Sequence, residues 1–283
     1  MSVLPVYCFD PRDYGKSSSG FDKTGPYRAS FLIESVSNLR KNLQARGSEL
    51  IVRIGKPEKV LAELVKEVGA EAVYAHREVS HDEVKGEEKI ETALKDEGVD
   101  VKEKVQGLKI RKTIDALDQL RGLPAGGDVE PGDIPSLVDL GLNPTATMNQ
   151  AKATANASLV GGETEARERL KKFAAECQAQ PHKEGSNDSS SSSIYGANFS
   201  CKISPWLAMG CLSPRSMFDE LKKSASRTIS ARKDGIGGDT GTNWLMYELL
   251  WRDFFRFITK KYSSAKQNNA APVTASTTGA TVA

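Results

Sequence analysis

Short apolar runs and periodic apolar stretches alternate along the N-terminal part of the chain. Residues 2–9, Ser-Val-Leu-Pro-Val-Tyr-Cys-Phe, predict a buried strand that Asp10-Pro11 ends. A polar loop covers residues 11–26. From Arg28 to Ala45, Phe31, Leu32, Val36, Leu39 and Leu43 recur at steps of three or four, which predicts an amphipathic helix closed by Gly47. Leu50-Ile-Val-Arg-Ile reads as a second strand, and Gly55-Lys-Pro-Glu as a turn. Pro57 opens a helix carrying Val60, Leu61, Leu64, Val65 and Val68. Ala72-Val-Tyr-Ala is the next strand, and His81-Asp82-Glu83 leads into a charged helix ending near Gly98. The order β-α-β-α-β-α is that of a doubly wound parallel sheet, a Rossmann-like α/β unit. Such sheets bind ligands at the carboxyl ends of their strands.

The pattern then becomes purely helical. Ile114, Leu117 and Leu120 continue a helical period, and residues 122–160, rich in Gly, Pro, Asp, Thr and Ala, read as an irregular interdomain connection. Gly161-Gly-Glu-Thr-Glu-Ala opens a helix with Leu170 and Phe173 on one side. A serine run, Ser189 to Ser193, buries nothing and reads as flexible. Ser204-Pro205 and Ser213-Pro214 each predict a helix start, with serine as N-cap and proline at the first helical position. Residues 224–242 read as a flexible segment, Trp244–Lys261 as a helix, and the tail from Ser263 as disordered. The expected organisation is an α/β unit over 1–121, a connector over 122–160, a helical unit over 161–262 and a tail over 263–283.

Composition adds bounds. With 39 Lys plus Arg against 37 Asp plus Glu, the net charge of +2 leaves nucleic-acid binding open, since a local basic patch can hide in a balanced total. Cys8, Cys177, Cys201 and Cys211 have no metal-ligand spacing and read as free thiols in a reducing compartment. No apolar run reaches the ~20 residues needed to span a bilayer, and no leader segment is expected.

Candidate chemistry gathers over residues 195–257. Ser200, Lys202 and Ser204 place two hydroxyls and a cation beside a predicted helix start, where free backbone amides favour phosphate. Trp244, Glu248, Trp251, Arg252 and Phe255 stand at helical spacings. On pattern alone, a pair of ordinary capped helices with an aromatic core stripe is the favoured reading.

The strings Ser200-Cys201-Lys202-Ile203-Ser204-Pro205 through Gly210-Cys-Leu-Ser-Pro-Arg215, and Glu248-Leu-Leu-Trp251-Arg252-Asp253-Phe254, carry a longer message. They resemble the photolyase/cryptochrome family, especially its plant cryptochrome-DASH-like members. There, a T-S-x-L-S-P-x-L-x-x-G-x-[LI]-S-P-R segment wraps the FAD phosphates and an E-L-x-W-R-[ED]-F helix lies beside the flavin. Lys23-Thr-Gly-Pro-Tyr-Arg-Ala29, Phe31-Leu-Ile-Glu-Ser35 and Gly55-Lys-Pro-Glu58 resemble the same family's N-terminal antenna domain.

The resemblance implies an incomplete α/β antenna domain followed by a truncated all-α FAD-binding domain. Relatives carry an earlier strand, normally interior, whose loss would leave its neighbours unpaired. They also carry a further internal strand and a C-terminal half that completes the flavin cavity. The resemblance assigns Ser200, Cys201, Lys202, Ile203, Ser204, Glu248 and Trp251 to FAD. Trp251, Arg252 and Arg256 would meet nucleic acid. A folate antenna would sit near His76-Arg-Glu-Val-Ser-His81. The implied function is a blue-light photoreceptor or photolyase-like flavoprotein using FAD for light-driven electron transfer, degenerate for DNA repair. An active photolyase acting on pyrimidine dimers, and a non-flavin remnant acting by protein contacts, are the alternatives. Partners would be dimer-containing DNA or signalling proteins, and the location chloroplast or nucleus.

Overall fold

The computed structural model describes residues 3–103, 129–143, 159–179, 203–231 and 241–268. The α/β unit runs β1 (Val6–Phe9), α1 (Pro26–Gln44), β2 (Ile51–Ile54), α2 (Pro57–Val68), β3 (Ala72–Ala75), α3 (His81–Asp96) and β4 (Asp100–Glu103). The helical unit contains α4 (Glu163–Ala179), α5 (Ser204–Ala208), α6 (Pro214–Ala231) and α7 (Gly241–Asn268). The expected alternation of strand and helix is present. The pattern of apolar positions did not separate β4 from its flanks.

All the described strand pairs are parallel, as the helical crossovers between them require. They do not form one sheet. β1 pairs with β2 and β3 with β4, and among the described residues no ladder joins β1 to β3. α2 bridges the two pairs: Val60 and Leu64 pack with Val6 and Cys8 of β1, while Leu61 and Val65 pack with Val73 of β3. A helix about 10 Å across covers two strand spacings of about 4.8 Å. One helix therefore holds both pairs, and burying a side chain such as Leu64 contributes about 2 kcal/mol. Gly69 ends α2 in the left-handed conformation, φ 59°, with its amide on Val65 O.

The other face of β1–β2 packs on α1 through Phe9, Tyr14, Ala29, Val36, Leu50 and Val52. Residues 129–142 join this unit. Leu140 and Leu142 complete the α1 cluster and Val129 the α2 cluster.

The helical unit has its own core of Ala166, Leu170, Ile203, Trp206, Leu212, Met217, Leu221 and Leu249, to which α1 adds Phe31. Two helices outrun their expected ends. α6 extends through residues 224–231, which were expected to be flexible, because Gly235 is the first helix breaker in that stretch. α7 extends beyond Lys261 to Asn268, since Pro272 is the next breaker. The predicted helix at 111–120 and the serine run lie outside the described residues.

Candidate functional site

The segment Ile203–Ser213 is built around Trp206, which is fully buried. Its indole Nε1 donates to Val160 O at 3.0 Å. The Phe31 ring meets it edge-on, with centroids 5.4 Å apart and planes at 70°. The Arg169 guanidinium lies over the ring, 4.4 Å from its centroid. Leu212 N closes the loop onto Trp206 O at 3.1 Å. Gly210, at φ 73°, makes the turn between them.

The helix starts are not alike. Ser213 behaves as expected of an N-cap, with Oγ accepting from Ser216 N at 3.5 Å and its carbonyl from Met217 N at 2.9 Å. Ser204 does not. The cap position belongs to Ile203, whose carbonyl accepts from Leu207 N at 3.3 Å, and Ser204 is already the first helical residue. Burial of the Ile203 side chain fixes that frame, so the Ser204 hydroxyl is left exposed rather than folded back onto the helix.

The second candidate stretch lies on α7. Leu249 is buried in the same cluster as Ile203 and Trp206. Ser204 and Trp251 therefore stand beside members of one core, both exposed. Trp251 is 53 % exposed, stacked on Phe255 with centroids 5.8 Å apart and planes at 27°, and edge-on to Phe254 at 5.7 Å. The aromatic core stripe is thus not what α7 presents: Leu250, Trp251, Phe254, Phe255 and Phe257 are all at least half exposed. Arg252 Nη1 pairs with Asp253 Oδ1 at 2.9 Å. Arg256 Nη2 donates to Arg77 O at 3.2 Å, and its Nη1 lies 3.9 Å from Glu78 Oε2. Ser200, Cys201 and Lys202, and the Glu248 side chain, lie outside the described residues.

At the carboxyl end of β1 the Arg12 guanidinium binds Asp10 and also Glu58, at the start of α2. Burial opposes ionisation of Asp10, but the Arg12 hydrogen bonds and charge hold its carboxyl below the usual range. Burial, then Asp10, pushes the Cys8 thiol up to about 11. At the carboxyl end of β3, His76 and Arg77 are exposed and Glu78 N donates to Glu87 Oε1 at 2.7 Å. Among the described residues no cluster of His, Cys, Asp and Glu could hold a metal. No described helix is long and apolar enough to cross a membrane.

Sequence reasoning did not single out Trp206 as the anchor. A Trp directly after the Ser-Pro pair was the available signal, but its partners Phe31, Val160 and Arg169 are distant in sequence.

The family model described as DNA photolyase matches residues 1–110. The "Blue-light photoreceptor PHR2" of Arabidopsis thaliana is 66% identical over an alignment covering 98% of this chain and 68% of that protein. The "Cryptochrome DASH" of Gloeobacter violaceus is 36% identical, covering 92% of this chain and 54% of the relative. The solved structure of the Synechocystis sp. PCC6803 cryptochrome superposes with a TM-score of 0.70 at 29% identity, covering 93% of this chain and 56% of that one. The chain thus spans about two thirds of the plant relative and about half of the cryptochrome DASH relative. At that identity and coverage, the chain belongs to the photolyase/cryptochrome family of flavoproteins.

Proposed function

We propose that the chain holds FAD through the Ser200–Ser204 segment and α7 and serves as a blue-light receptor. The observation that carries the reading is the split within four residues of one segment. Ile203 and Trp206 are buried, while Ser204 between them is exposed. A hydroxyl fixed from below and open above suits a phosphate or ribitol oxygen. Ser200 and Lys202 would add a hydroxyl and a charge-assisted bond, with Cys201 and Ile203 carrying them. Trp251, backed by Phe255, offers an aromatic face for the flavin side, and Glu248 an acceptor. Bound FAD would supply blue-light absorption and electron transfer; the residues above bind and orient it.

Reception rather than repair is favoured by the plant relative, a blue-light photoreceptor by name. The guanidinium groups of Arg252 and Arg256 are engaged within the chain, which leaves them less free for a DNA backbone. A signalling protein is the partner this reading requires, and dimer-containing DNA belongs to the repair alternative. A folate antenna would take the carboxyl end of β3 near His76 and His81, since at the end of β1 Asp10, Arg12 and Glu58 already satisfy one another. Chloroplast or nucleus is the proposed location, by kinship.

The test is an absorbance spectrum of the purified chain before and after adding FAD and gel filtration. Retained flavin absorbance, weakened by Ser204→Ala, supports the reading. A chain that takes up no FAD overturns it and favours action through protein contacts, for which the exposed α7 aromatics are the candidate surface.

A further inference from the structure

We infer that Phe31 and Ser35, on α1 of the α/β unit, are positioning residues for the flavin-holding segment of the helical unit. The inference rests on the flavin reading above. The segment around Ser204 has little structure of its own. α5 is five residues long, and Gly210 turns the chain directly after it. A helix this short is unstable alone, so tertiary contacts set its conformation.

Several of those contacts come from the other unit. Phe31 lies edge-on to Trp206 at 5.4 Å. Ser35, one turn further along the same face of α1, donates Oγ to Phe31 O at 2.7 Å and accepts from Cys211 Sγ at 3.3 Å. Ser35 is the one buried polar side chain among the described residues, so its two bonds satisfy a group that would otherwise be costly to bury.

The chain entering α4 closes over the same spot. Gly161 N donates to Glu34 Oε2 at 2.9 Å. A Cβ on Gly161 would stand 2.1 Å from Phe31 O and 2.5 Å from Ser35 Oγ. Thr164 and Asn38 bond one turn further along. Phe31 thus reaches Ser204 through Trp206, two residues on, and Ser35 grips the far end of the segment at Cys211. Neither residue has to touch the flavin.

The experiment uses the full chain with the variants Phe31→Leu, Ser204→Ala and their combination. FAD affinity is followed by flavin fluorescence, and amide hydrogen exchange is measured without flavin. Phe31→Leu keeps an apolar side chain but loses the edge-on ring. It should speed exchange at Leu207 and Leu212 while leaving α2 and α3 unchanged. It should also weaken FAD about threefold to tenfold, the range expected for one aromatic pair. Because both residues act through one segment, the double variant should lose less than the product of the single losses.

Losses that simply multiply, or exchange that quickens equally in α2 and α3, would overturn the inference and leave Phe31 a general core residue. If the wild-type chain takes up no FAD, the flavin reading fails. The exchange contrast between Leu212 and α2 then decides the inference by itself.

Discussion

Val52 donates its amide to Pro131 O at 2.7 Å, so the outer edge of β2 is closed by chain from beyond the α/β repeat. Arg40 and Arg53 reinforce the closure, Arg40 Nη2 on Pro131 O at 3.0 Å and Arg53 Nη2 on Glu130 O at 2.7 Å. The inner edge, on β1, has no such cover among the described residues. Ile51 N donates to Pro5 O and Gly55 N to Phe9 O, which places Tyr7 and Phe9 amides toward β2 and Val6 and Cys8 amides away from it. Hydrogen exchange along β1 should therefore alternate, slow at Tyr7 and Phe9 and fast at Val6 and Cys8. Uniform protection along the strand would show that a further strand pairs with β1 in solution.

Closure of the β2 edge depends on a glycine. Gly132 sits at φ 75°, and a Cβ there would come 2.2 Å from Val52 O and 2.7 Å from Arg53 Nη1. Backbone cannot give way as a flexible side chain can. Gly132→Ala should cost about 1–3 kcal/mol from the left-handed conformation alone, and more from the clash. Chemical denaturation would read the loss. Gly98→Ala, which meets nothing within 4 Å at φ 72°, separates the two contributions and should lose less.

Acid should weaken the α/β unit through Asp10 and Glu58. Both carboxyls are held below their ordinary range, against burial, by hydrogen bonds that include those from Arg12. A lowered folded-state pKa means that the unfolded chain binds more protons, so stability rises with pH in this window. The contribution is complete above the unfolded carboxylate range near ~4 and is lost as pH falls through the lower folded values. Thermal melts from neutral to acidic pH should show this loss, and Asp10→Asn should flatten it. An unchanged acid slope in the variant would assign the loss to other groups.

Much of the local structure is legible in the chain. The spacing of Val60, Leu64 and Val68 places α2, and Ser213-Pro214 marks the start of α6. Position along the backbone was less legible where burial competes with capping. Ser204 reads as an N-cap, but burying Ile203 moves the cap back one residue. Contacts between distant segments were not legible at all. Nothing near Trp206 says that Phe31 will meet it, and nothing near Val52 says that Pro131 will cover it. The separation of β1–β2 from β3–β4 was foreshadowed only by comparison with relatives, because apolar alternation gives strands and not their neighbours.

The aromatic face of α7 gives the sharpest contrast between expectation and outcome. Leu249 turns into the helical core, and Arg256 reaches the loop after β3, yet Leu250, Phe254 and Phe257 at steps of four and three stand in solvent. Trp251 and Phe255 stack beside them. Contiguous exposed aromatics favour association, because burying each ring removes a large apolar area from water. Concentration-dependent sedimentation is therefore expected for the wild-type chain. Phe254→Glu combined with Phe257→Glu should abolish it while changing stability by no more than about 0.5 kcal/mol, as for exposed positions generally. A large drop in melting temperature in that variant would show instead that the two rings are covered within the folded chain. Equal sedimentation of both proteins at every concentration would show the face to be solvated and without a role in assembly.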